Sequence, residues 1–386
     1  MKILYVIDTI QGSGAERSLV EIAQHFKRHT PIFVHIYKGD MLKPLLEKVG
    51  IKVYSLNIPG QRNYKIAAKQ LEKIYELEKP DIIHATLFNS DAITRKLKSK
   101  FPIPLVSSFV NNSYNPLRFK NQGFLTQIKL RLVQLYDTFT SRQVDFFISN
   151  SETIKKAKAN STNVNLKKVK VIYRGRDKEK FKNLAENNGL ELKKSLNISN
   201  SKVLLNVSRL IERKGQLDLL EAMPEILKNH PQTKLLIAGH GVFEVVLSKR
   251  IKALGLEKHV SLLGRRMDVP ELLNIANVFV YPSYFEGLPG ALIEAMMTEK
   301  LIVCSNIPEN MECVDKDSAI IFERGNISDL ANKVIFALDN EHNLSHLGEE
   351  ARKIAMEKFD LESIAQQYEE TYDYIKTIKP MNNFIK

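Results

Sequence analysis

Two glutamates in the segment Tyr281–Val303 carry the side chains best suited to chemistry. Glu286 and Glu294 are separated by seven residues, and the string Gly287-Leu288-Pro289-Gly290 lies between them. An eight-residue step turns an α-helix by about 800°, so the two carboxylates cannot share one face of a continuous helix. The glycines and the proline instead predict a loop that carries Glu286 and a helix that begins near Pro289 or Gly290.

The N-terminus of that predicted helix is suited to binding a diphosphate. Free backbone N–H groups and a partial positive charge collect there. Glu294 lies about one turn into the helix, where its carboxylate can accept hydrogen bonds from the two vicinal hydroxyls of a ribose. This layout indicates a nucleotide-sugar site. The alternative for the bare spacing is that Glu294 is only a first-turn acid that favours the helix dipole.

Two further loops suit a phosphorylated ligand. Arg209 and Lys214 follow a predicted strand that ends at Val207. A guanidinium and an ammonium five residues apart can hold adjacent phosphates and offset the charge of a departing diphosphate, although an ordinary basic loop is the alternative. Gly239 ends the next strand, where a glycine permits close approach of the backbone.

The elements that must position these residues follow a regular alternation. Short apolar runs such as Lys2–Ile7, Phe146–Ser149 and Val278–Tyr281 alternate with helical stretches, which predicts parallel sheets covered on both faces. Two such blocks predict two Rossmann-like domains, residues 1–180 and 181–361, with a polar connection at 183–200. Ligands of such sheets bind at the carboxyl ends of the strands, so we expect the chemistry in a cleft between the domains.

Composition and charge narrow the class of protein. The chain has 386 residues, of which 44% are hydrophobic and 26% charged, and no apolar run approaches the ~18 residues of a membrane span. The N-terminus is too quickly interrupted by charge for a signal peptide. Cys304 and Cys313 form no paired metal spacing, so a reducing cytoplasm is the simplest setting.

The net charge of +13 is concentrated in the first half of the chain. Residues 1–180 hold 32 Lys and Arg against 15 Asp and Glu, whereas residues 181–386 hold 25 against 29. This asymmetry indicates an anionic partner, which can be nucleic acid, a membrane surface or a phosphorylated substrate; a solvated lysine-rich surface is the alternative. No nucleic-acid recognition motif is present, so we expect no nucleic-acid partner.

The segment with the two glutamates resembles the Glu-x7-Glu segment of retaining glycosyltransferases of the GT-B fold, particularly glycosyltransferase family 4. Pro282-Ser283, Glu286-Gly287 and Glu294-Ala295-Met296 carry the likeness, and Arg209 and Lys214 match the Arg…Lys pair of the family. Gly239 stands in a Gly-x-Gly turn like that of the family. The string Tyr173–Asp177 resembles the pattern Asn-Gly-Val-Asp, with Arg174 in place of the usual asparagine.

The resemblance implies a role for each of these residues. Donor binding falls to the segment Gly287–Gly290, Glu294 and Gly239, with Arg266 and Met267 beside the nucleobase. Glu286 is expected to touch the donor sugar, while Arg209 and Lys214 stabilise the leaving diphosphate. These three, together with His84 at a predicted strand end, form the expected catalytic set.

The first domain resembles the family in its glycine loop but departs from it elsewhere. Gly14 belongs to a string similar to Gly-Gly-Ala-Glu-Arg, whose loop faces the donor across the cleft. The family commonly has a histidine after the strand that ends near Ser108, and this chain has Val110-Asn111-Asn112 there. Asn111 can supply a hydrogen bond on the acceptor side, but it cannot act as a base.

The resemblance predicts an α/β protein of the GT-B class, with an acceptor domain at 1–180, a donor domain at 181–361 and a C-terminal helix at 362–386 that crosses back. It implies a retaining transfer from a UDP- or GDP-sugar to a hydroxyl of a lipid-linked glycan in bacterial surface polysaccharide synthesis. No cofactor or metal is expected. A catalytically silent nucleotide-sugar-binding or assembly subunit of the same fold is the alternative.

The segment 115–142 combines basic residues with an apolar stripe. Such a helix can rest on an anionic membrane, or it can pack its stripe against its own domain. The first possibility predicts a cytoplasmic protein at the inner face of the membrane. The sequence gives no oligomeric state.

Overall fold

The chain folds into two compact units in the computed structural model. The structure describes residues 1–60, 63–116, 119, 123–182 and 186–378. The first unit consists of Met1–Gly175 together with Leu361–Lys386, and the second consists of Arg176–Asp360. Residues 183–185 of the predicted linker, residues 117, 118 and 120–122 of the predicted amphipathic segment, and residues 379–386 of the predicted last helix lie outside the described residues.

The first unit is built on a seven-stranded parallel sheet in the order β3-β2-β1-β4-β5-β6-β7. The strand order reverses between β1 and β4, which is where a doubly wound sheet opens a crevice for ligands. The strands are β1 (Lys2–Ile7), β2 (Thr30–His35), β3 (Lys52–Ser55), β4 (Ile82–Thr86), β5 (Leu105–Phe109), β6 (Phe146–Ser149) and β7 (Val169–Val171).

Helices cover both faces of this sheet, because its central strands are buried on both sides and need apolar cover. The last helix of the chain belongs to this unit: its apolar face, which includes Leu361, Tyr368 and Tyr372, joins one of the two hydrophobic cores. The helices are α1 (Gly14–Gln24), α2 (Lys43–Lys48), α3 (Tyr64–Glu78), α4 (Phe88–Lys98), α5 (Phe124–Thr140), α6 (Glu152–Thr162) and, at the end of the chain, α15 (Leu361–Thr377).

The second unit is built on a six-stranded parallel sheet in the order β10-β9-β8-β11-β12-β13. The order reverses between β8 and β11, so this unit has its own switch point. The strands are β8 (Lys202–Val207), β9 (Thr233–Ala238), β10 (Val260–Leu262), β11 (Val278–Tyr281), β12 (Leu301–Ser305) and β13 (Ile320–Phe322).

The helices of the second unit enclose a core made of the inner faces of α8, α13 and the sheet, in which Leu219, Leu235 and Val334 are fully buried. The helices are α7 (Glu186–Ser195), α8 (Gln216–Asn229), α9 (Glu244–Ala253), α10 (Val269–Ile275), α11 (Gly290–Met297), α12 (Pro308–Met311), α13 (Ile327–Asp339) and α14 (Ser345–Phe359).

The predicted pair of Rossmann-like domains is confirmed by the two parallel sheets. The units meet in sequence at Gly175 and Arg176, five residues before the predicted boundary, because Gly175 belongs to the first core: a Cβ on it would lie 2.6 Å from the Cα of Leu361. The second boundary falls at Asp360 and Leu361.

Candidate functional site

In the second unit, Lys214 and Glu286 form a buried ion pair at the carboxyl edge of the sheet. Lys214 ends the short turn Glu212–Lys214 after β8, and Glu286 lies in the loop after β11. The Lys214 ammonium donates to a carboxylate oxygen of Glu286 and, at 2.9 Å, to the phenolic oxygen of Tyr281. Tyr281 in turn donates to the same Glu286 oxygen at 2.9 Å. Lys214 and Glu286, which were predicted as members of one catalytic set with different roles, are therefore in direct contact.

A second cation stands beside this pair. The Arg213 guanidinium donates to the Phe285 carbonyl at 2.5 Å and lies 3.3 Å from the other carboxylate oxygen of Glu286. Arg209, by contrast, is exposed on the loop above. Arg209 was predicted as a site residue, and Arg213 and Tyr281 were not. Nothing in the spacing distinguishes one arginine of this basic loop from the other, and Tyr281 belongs to a buried strand.

Burial and charge set the ionisation of the pair. Burial raises the pKa of Glu286, but the charges of Lys214 and Arg213 outweigh it and bring the pKa down to about 2. Burial lowers the pKa of Lys214, and the charges of Arg213 and Arg209 lower it too. The attraction of Glu286 opposes them, and the resulting pKa is about 8. At neutral pH the pair is thus ionised, with an ammonium that releases its proton in mild alkali.

The helix predicted after Pro289 begins at Gly290, and Glu294 lies one turn inside it. The Arg176 Nε donates to a Glu294 carboxylate oxygen at 2.8 Å, and both side chains are largely buried. A Cβ on Gly290 would lie 2.1 Å from the Arg176 Nη2, so the guanidinium rests against the first residue of the helix. Arg176, Gly290 and Glu294 therefore bring a forked cation, a helix N-terminus and a carboxylate to one place, which suits a phosphorylated ribose.

Arg176 was not among the predicted site residues. It occupies the position where the pattern Asn-Gly-Val-Asp has valine. The replacement of an apolar residue by arginine inside a glycine-containing motif was the signal that could have identified it.

The remaining predicted donor residues lie on neighbouring loops of the same sheet edge. Gly239 follows β9 with φ 151°, and a Cβ there would lie 1.8 Å from the Ser208 carbonyl oxygen, so the loops after β8 and β9 are in contact through it. Arg266 follows β10 and pairs with Asp268, its Nε 2.8 Å from the carboxylate. Met267 is 67% exposed. Leu288 and Pro289 are buried beneath the loop, and Gly287 is half-buried.

The position predicted for His84 is wrong, because β4 continues to Thr86 and His84 lies in the middle of the strand. Its ring is fully buried, with Nδ1 2.7 Å from the Tyr372 hydroxyl and Nε2 2.7 Å from the Ser108 hydroxyl. Burial lowers the pKa of His84 to about 3, so the imidazole is neutral at physiological pH. Both ring nitrogens are engaged in the core of the first unit.

Gly14 is the first residue of α1, and a Cβ on it would meet the Arg174 Nη1 at an ordinary 3.5 Å. Space in the first unit therefore does not require a glycine at this position. The role of Gly14 toward the donor stays a prediction.

The first unit contains a cavity of about 330 Å³ at the carboxyl ends of β1, β4 and β5. Asn111, the predicted acceptor-side residue, lies in its wall, which also carries carboxylates, two cations and aromatic rings. The lining residues are Asp8, Leu87, Phe88, Asp91, Arg95, Ser108, Phe109, Val110, Asn111, Ser113, Tyr114, Leu130, Val133, Asp137 and Lys158.

A buried ionic network forms one side of this cavity. Asp137 accepts hydrogen bonds from Arg95 at 2.7 Å, Tyr114 at 2.9 Å and Lys158 at 3.1 Å. Burial raises the pKa of Asp137, but Lys158 and Arg95 outweigh it and leave the pKa below its usual value. This network was not predicted, since its members come from three helices and a loop that only the fold brings together.

Asp91 is the other carboxylate of the network, and burial raises its pKa to about 7. It accepts a hydrogen bond from the Ser107 hydroxyl and lies 3.7 Å from Arg95. A wall with carboxylates, an amide and aromatic rings combines hydrogen-bond acceptors for hydroxyls with apolar surface for ring faces. The cavity thus has the chemistry to hold a polyhydroxylated ring.

Two features of the described residues bear on other classes of function. No group of three or more His, Cys, Asp or Glu in this part of the chain has the arrangement of a metal site. Among the helices described here, none has the length and apolar character needed to cross a membrane.

Comparison with known families matches both halves of the chain. The family described as Glycosyltransferase Family 4 matches residues 12–180, and the family described as Glycosyl transferases group 1 matches residues 187–354.

Known glycosyltransferases also match parts of this chain. The chain is 26% identical to the capsular polysaccharide biosynthesis glycosyltransferase CapH of Staphylococcus aureus, over 84% of this chain and 87% of CapH. It is 34% identical to the UDP-Gal:alpha-D-GlcNAc-diphosphoundecaprenol alpha-1,3-galactosyltransferase of Escherichia coli, over 45% of this chain and 46% of that protein. The matched regions cover 62% of the length of a further relative, the uncharacterized glycosyltransferase MJ1059 of Methanocaldococcus jannaschii. The corresponding shares are 87% for CapH and 46% for the Escherichia coli transferase.

Among solved structures, the crystal structure of Anabaena HepE in complex with UDP-glucose superposes with a TM-score of 0.84. It covers 97% of this chain and 100% of HepE at 23% identity, a likeness that shows the fold. The GT-B class predicted from the sequence is confirmed. The relatives are themselves named as transferases, which does not favour the silent-subunit alternative.

Proposed function

This chain belongs to the glycosyltransferases of the GT-B fold, and we propose that it transfers a sugar from a UDP-sugar to a hydroxyl of a lipid-linked glycan with retention of configuration. The observations that carry the proposal are the buried Lys214–Glu286 pair and the helix N-terminus at which Arg176 pairs with Glu294. UDP is favoured as the nucleotide because HepE was crystallised with UDP-glucose and the Escherichia coli relative is named for UDP-Gal.

In this proposal each group of the second unit acts on a different part of the donor. Glu294 accepts hydrogen bonds from the ribose hydroxyls, and Arg176 with the N–H groups at Gly290 binds phosphate oxygens. Lys214 and Arg209 offset the negative charge that develops on the departing UDP, which lowers the barrier only if they are in place beforehand. The ion pair with Glu286 holds the Lys214 ammonium in place before the donor arrives.

Glu286 is proposed to orient the donor sugar by accepting hydrogen bonds from its hydroxyls. Its low pKa keeps it an acceptor throughout the working pH range. The bond between the anomeric carbon and the diphosphate oxygen breaks as the acceptor oxygen bonds to that carbon, and the proton of the acceptor hydroxyl passes to the departing diphosphate oxygen. UDP leaves with that proton, and Lys214 and Arg209 offset its remaining negative charge. No metal ion or cofactor is part of this proposal.

The cavity of the first unit is proposed to hold the acceptor. Its size suits one or two sugar rings, and Asn111 with Asp91 presents hydrogen-bonding groups to hydroxyls. The acceptor named for the Escherichia coli relative is a GlcNAc-diphosphoundecaprenol, and CapH is named for capsular polysaccharide biosynthesis. These names support a membrane-linked glycan in surface polysaccharide synthesis as the acceptor class.

A binding experiment tests the proposed donor. Titration calorimetry with UDP, UDP-glucose, UDP-galactose, UDP-GlcNAc, GDP and GDP-mannose should show binding of UDP and of at least one UDP-sugar. Glu294→Gln and Lys214→Met should each weaken UDP binding about tenfold or more, since each removes a charged hydrogen-bond partner. Glu221→Gln is the matched control, because Glu221 pairs with Arg250 on another part of the same unit.

Three outcomes would contradict the proposal. These are the absence of UDP binding in the wild type, undiminished binding in both variants, and an equal loss in the control. The retention of configuration is tested separately, by the anomeric coupling constant of the product in a ¹H NMR spectrum.

A further inference from the structure

Helix α5 exposes a continuous apolar stripe to solvent. Phe124 is 76% exposed, Leu125 72% and Leu135 65%, values far from those of a helix whose apolar face is packed on a core. None of the described residues covers these side chains. The exposed large apolar residues of the helix are Phe124, Leu125, Ile128, Leu132, Leu135, Tyr136 and Phe139.

These seven side chains lie on one side of the helix. At about 100° per residue they occupy an arc of roughly 120°, with Phe124 at one edge and Tyr136 at the other. Arg131 follows next to the Phe124 edge, and Lys129 follows next to the Tyr136 edge. Both are exposed, so the apolar stripe has a cation along each side.

The opposite side of α5 belongs to the cavity. Leu130, Val133 and Asp137 point inward from it and line the cavity wall, and Asp137 holds Arg95 and Lys158 there. One helix, about 10–12 Å in diameter with its side chains, therefore separates the cavity from the exposed stripe.

We propose that this stripe docks on the surface of an anionic lipid bilayer. A wide apolar face flanked by cations is the pattern of a helix that lies in the interface, with its apolar side chains among the acyl chains and its cations at the lipid phosphates. Lys and Arg exceed Asp and Glu by 32 to 15 in residues 1–180, which favours the same partner. A second copy of the chain fits less well, because both edges of the stripe are cationic and two copies would bring like charges together.

Docking in this way places the cavity one helix diameter from the membrane surface. This part of the inference rests on the proposed function, in which the acceptor is a glycan on a membrane-bound lipid. The sugar of such an acceptor lies just outside the lipid phosphates, so a cavity at that height reaches it without extraction of the lipid from the bilayer.

Flotation with lipid vesicles tests the docking. The full chain is mixed with vesicles of phosphatidylglycerol and phosphatidylcholine, or of phosphatidylcholine alone, and centrifuged through a density gradient. The wild type should float with the anionic vesicles. Leu132→Glu with Phe139→Glu should reduce that partition by about tenfold or more, since two side chains lose their burial in the bilayer and gain repulsive charges.

The matched control is Ile66→Glu with Leu77→Glu, two exposed apolar residues on helix α3 of the same unit. This variant should float like the wild type. A third variant, Lys129→Gln with Arg131→Gln, removes the cation at each edge of the stripe and should lose the preference for anionic vesicles. Melting temperatures close to that of the wild type show that the variants are folded.

The docking proposal is overturned if the wild type does not float, if the stripe variant floats undiminished, or if the control loses as much. It is also overturned if light scattering shows a wild-type dimer that Leu132→Glu with Phe139→Glu dissociates, because the stripe is then a contact between copies. UDP binding measured on the same proteins keeps the two proposals apart. Absence of UDP binding in all of them rejects the proposed function. The flotation results, in contrast, test only the docking of the stripe on the bilayer.

Discussion

Arg176 donates from its Nε to a Glu294 carboxylate oxygen at 2.8 Å, and its guanidinium lies against Gly290 at the start of α11. A cation at a helix N-terminus opposes the helix dipole, so the arginine is held there by Glu294 rather than by the helix. An incoming diphosphate would find a forked cation and free N–H groups at this place, and an incoming ribose would find the carboxylate.

The contact between Arg176 and Glu294 predicts that Arg176 contributes to the binding of the phosphates but not to that of the nucleoside. Arg176→Gln keeps a hydrogen-bond donor for Glu294 and removes the charge, so UDP binding should weaken about tenfold while uridine binding hardly changes. Glu294→Gln should weaken the binding of both ligands, because both contain the ribose. Calorimetric titrations with UDP and uridine measure the two effects. An equal loss of uridine binding in Arg176→Gln would show that the arginine acts only by orienting Glu294.

The low pKa of Lys214 predicts that donor binding and folding stability respond to alkali in opposite directions. Binding of UDP should weaken as the pH rises through about 8, because the ammonium that offsets the phosphate charge is lost. The free energy of unfolding should increase as the pH rises over the same range. Lys214 has a pKa of about 8 in the folded chain and 10.5 as the ordinary value, so the unfolded chain binds more protons between these pH values.

Lys214→Met checks this prediction. UDP affinity in the variant should be lower at pH 7 and flat between pH 7 and 9, whereas that of the wild type falls. Urea unfolding at pH 7.5 and pH 9.5 measures the stability. A wild-type affinity that stays constant to pH 9.5 would mean that the ammonium remains charged or does not contact the donor.

The sequence predicted the parallel sheets well because their buried strands are apolar on both faces. Phe146–Ser149 and Val278–Tyr281 have the predicted bounds. The two strands that were not predicted, Lys52–Ser55 and Ile320–Phe322, lie at sheet edges and have three or four residues. Such strands are fixed by pairing with a neighbour, and a segment of three or four residues carries little pattern of its own.

The site was predictable where it follows a linear motif and not where it depends on packing. Glu286 and Lys214 belong to motifs, and the fold brings their side chains into contact. Asp137 and Lys158 are distant in sequence and meet only because α5 packs on α6. The strand-end position predicted for His84 failed for a similar reason, since the length of β4 is set by its pairing with β1 and β5.

The burial of His84 predicts a structural rather than a chemical effect of its replacement. His84→Gln cannot satisfy both Tyr372 and Ser108 in the same geometry, so the free energy of unfolding should fall by about 1–3 kcal/mol. The kcat of the folded enzyme should stay within about threefold of the wild-type value, against the 10²–10⁴-fold expected from the loss of a general base. Urea unfolding and donor turnover measure the two quantities. A large fall in kcat with unchanged stability would restore the catalytic role.

The ionic network of the first unit predicts opposite effects for its two carboxylates. Asp137 neutralises two buried cations, so Asp137→Asn should lower the free energy of unfolding by about 3 kcal/mol or more. Asp91 has a pKa raised by burial to about 7, above its ordinary 3.8, so its ionisation costs stability as the pH rises between these values. Asp91→Asn should therefore be neutral or stabilising at pH 7.5 and should flatten the dependence of stability on pH between 4 and 7. Urea unfolding of the two variants at pH 5 and pH 7.5 measures both effects. A strong destabilisation by Asp91→Asn at pH 7.5 would contradict the prediction, because it would mean that the ionised form of Asp91 holds Arg95.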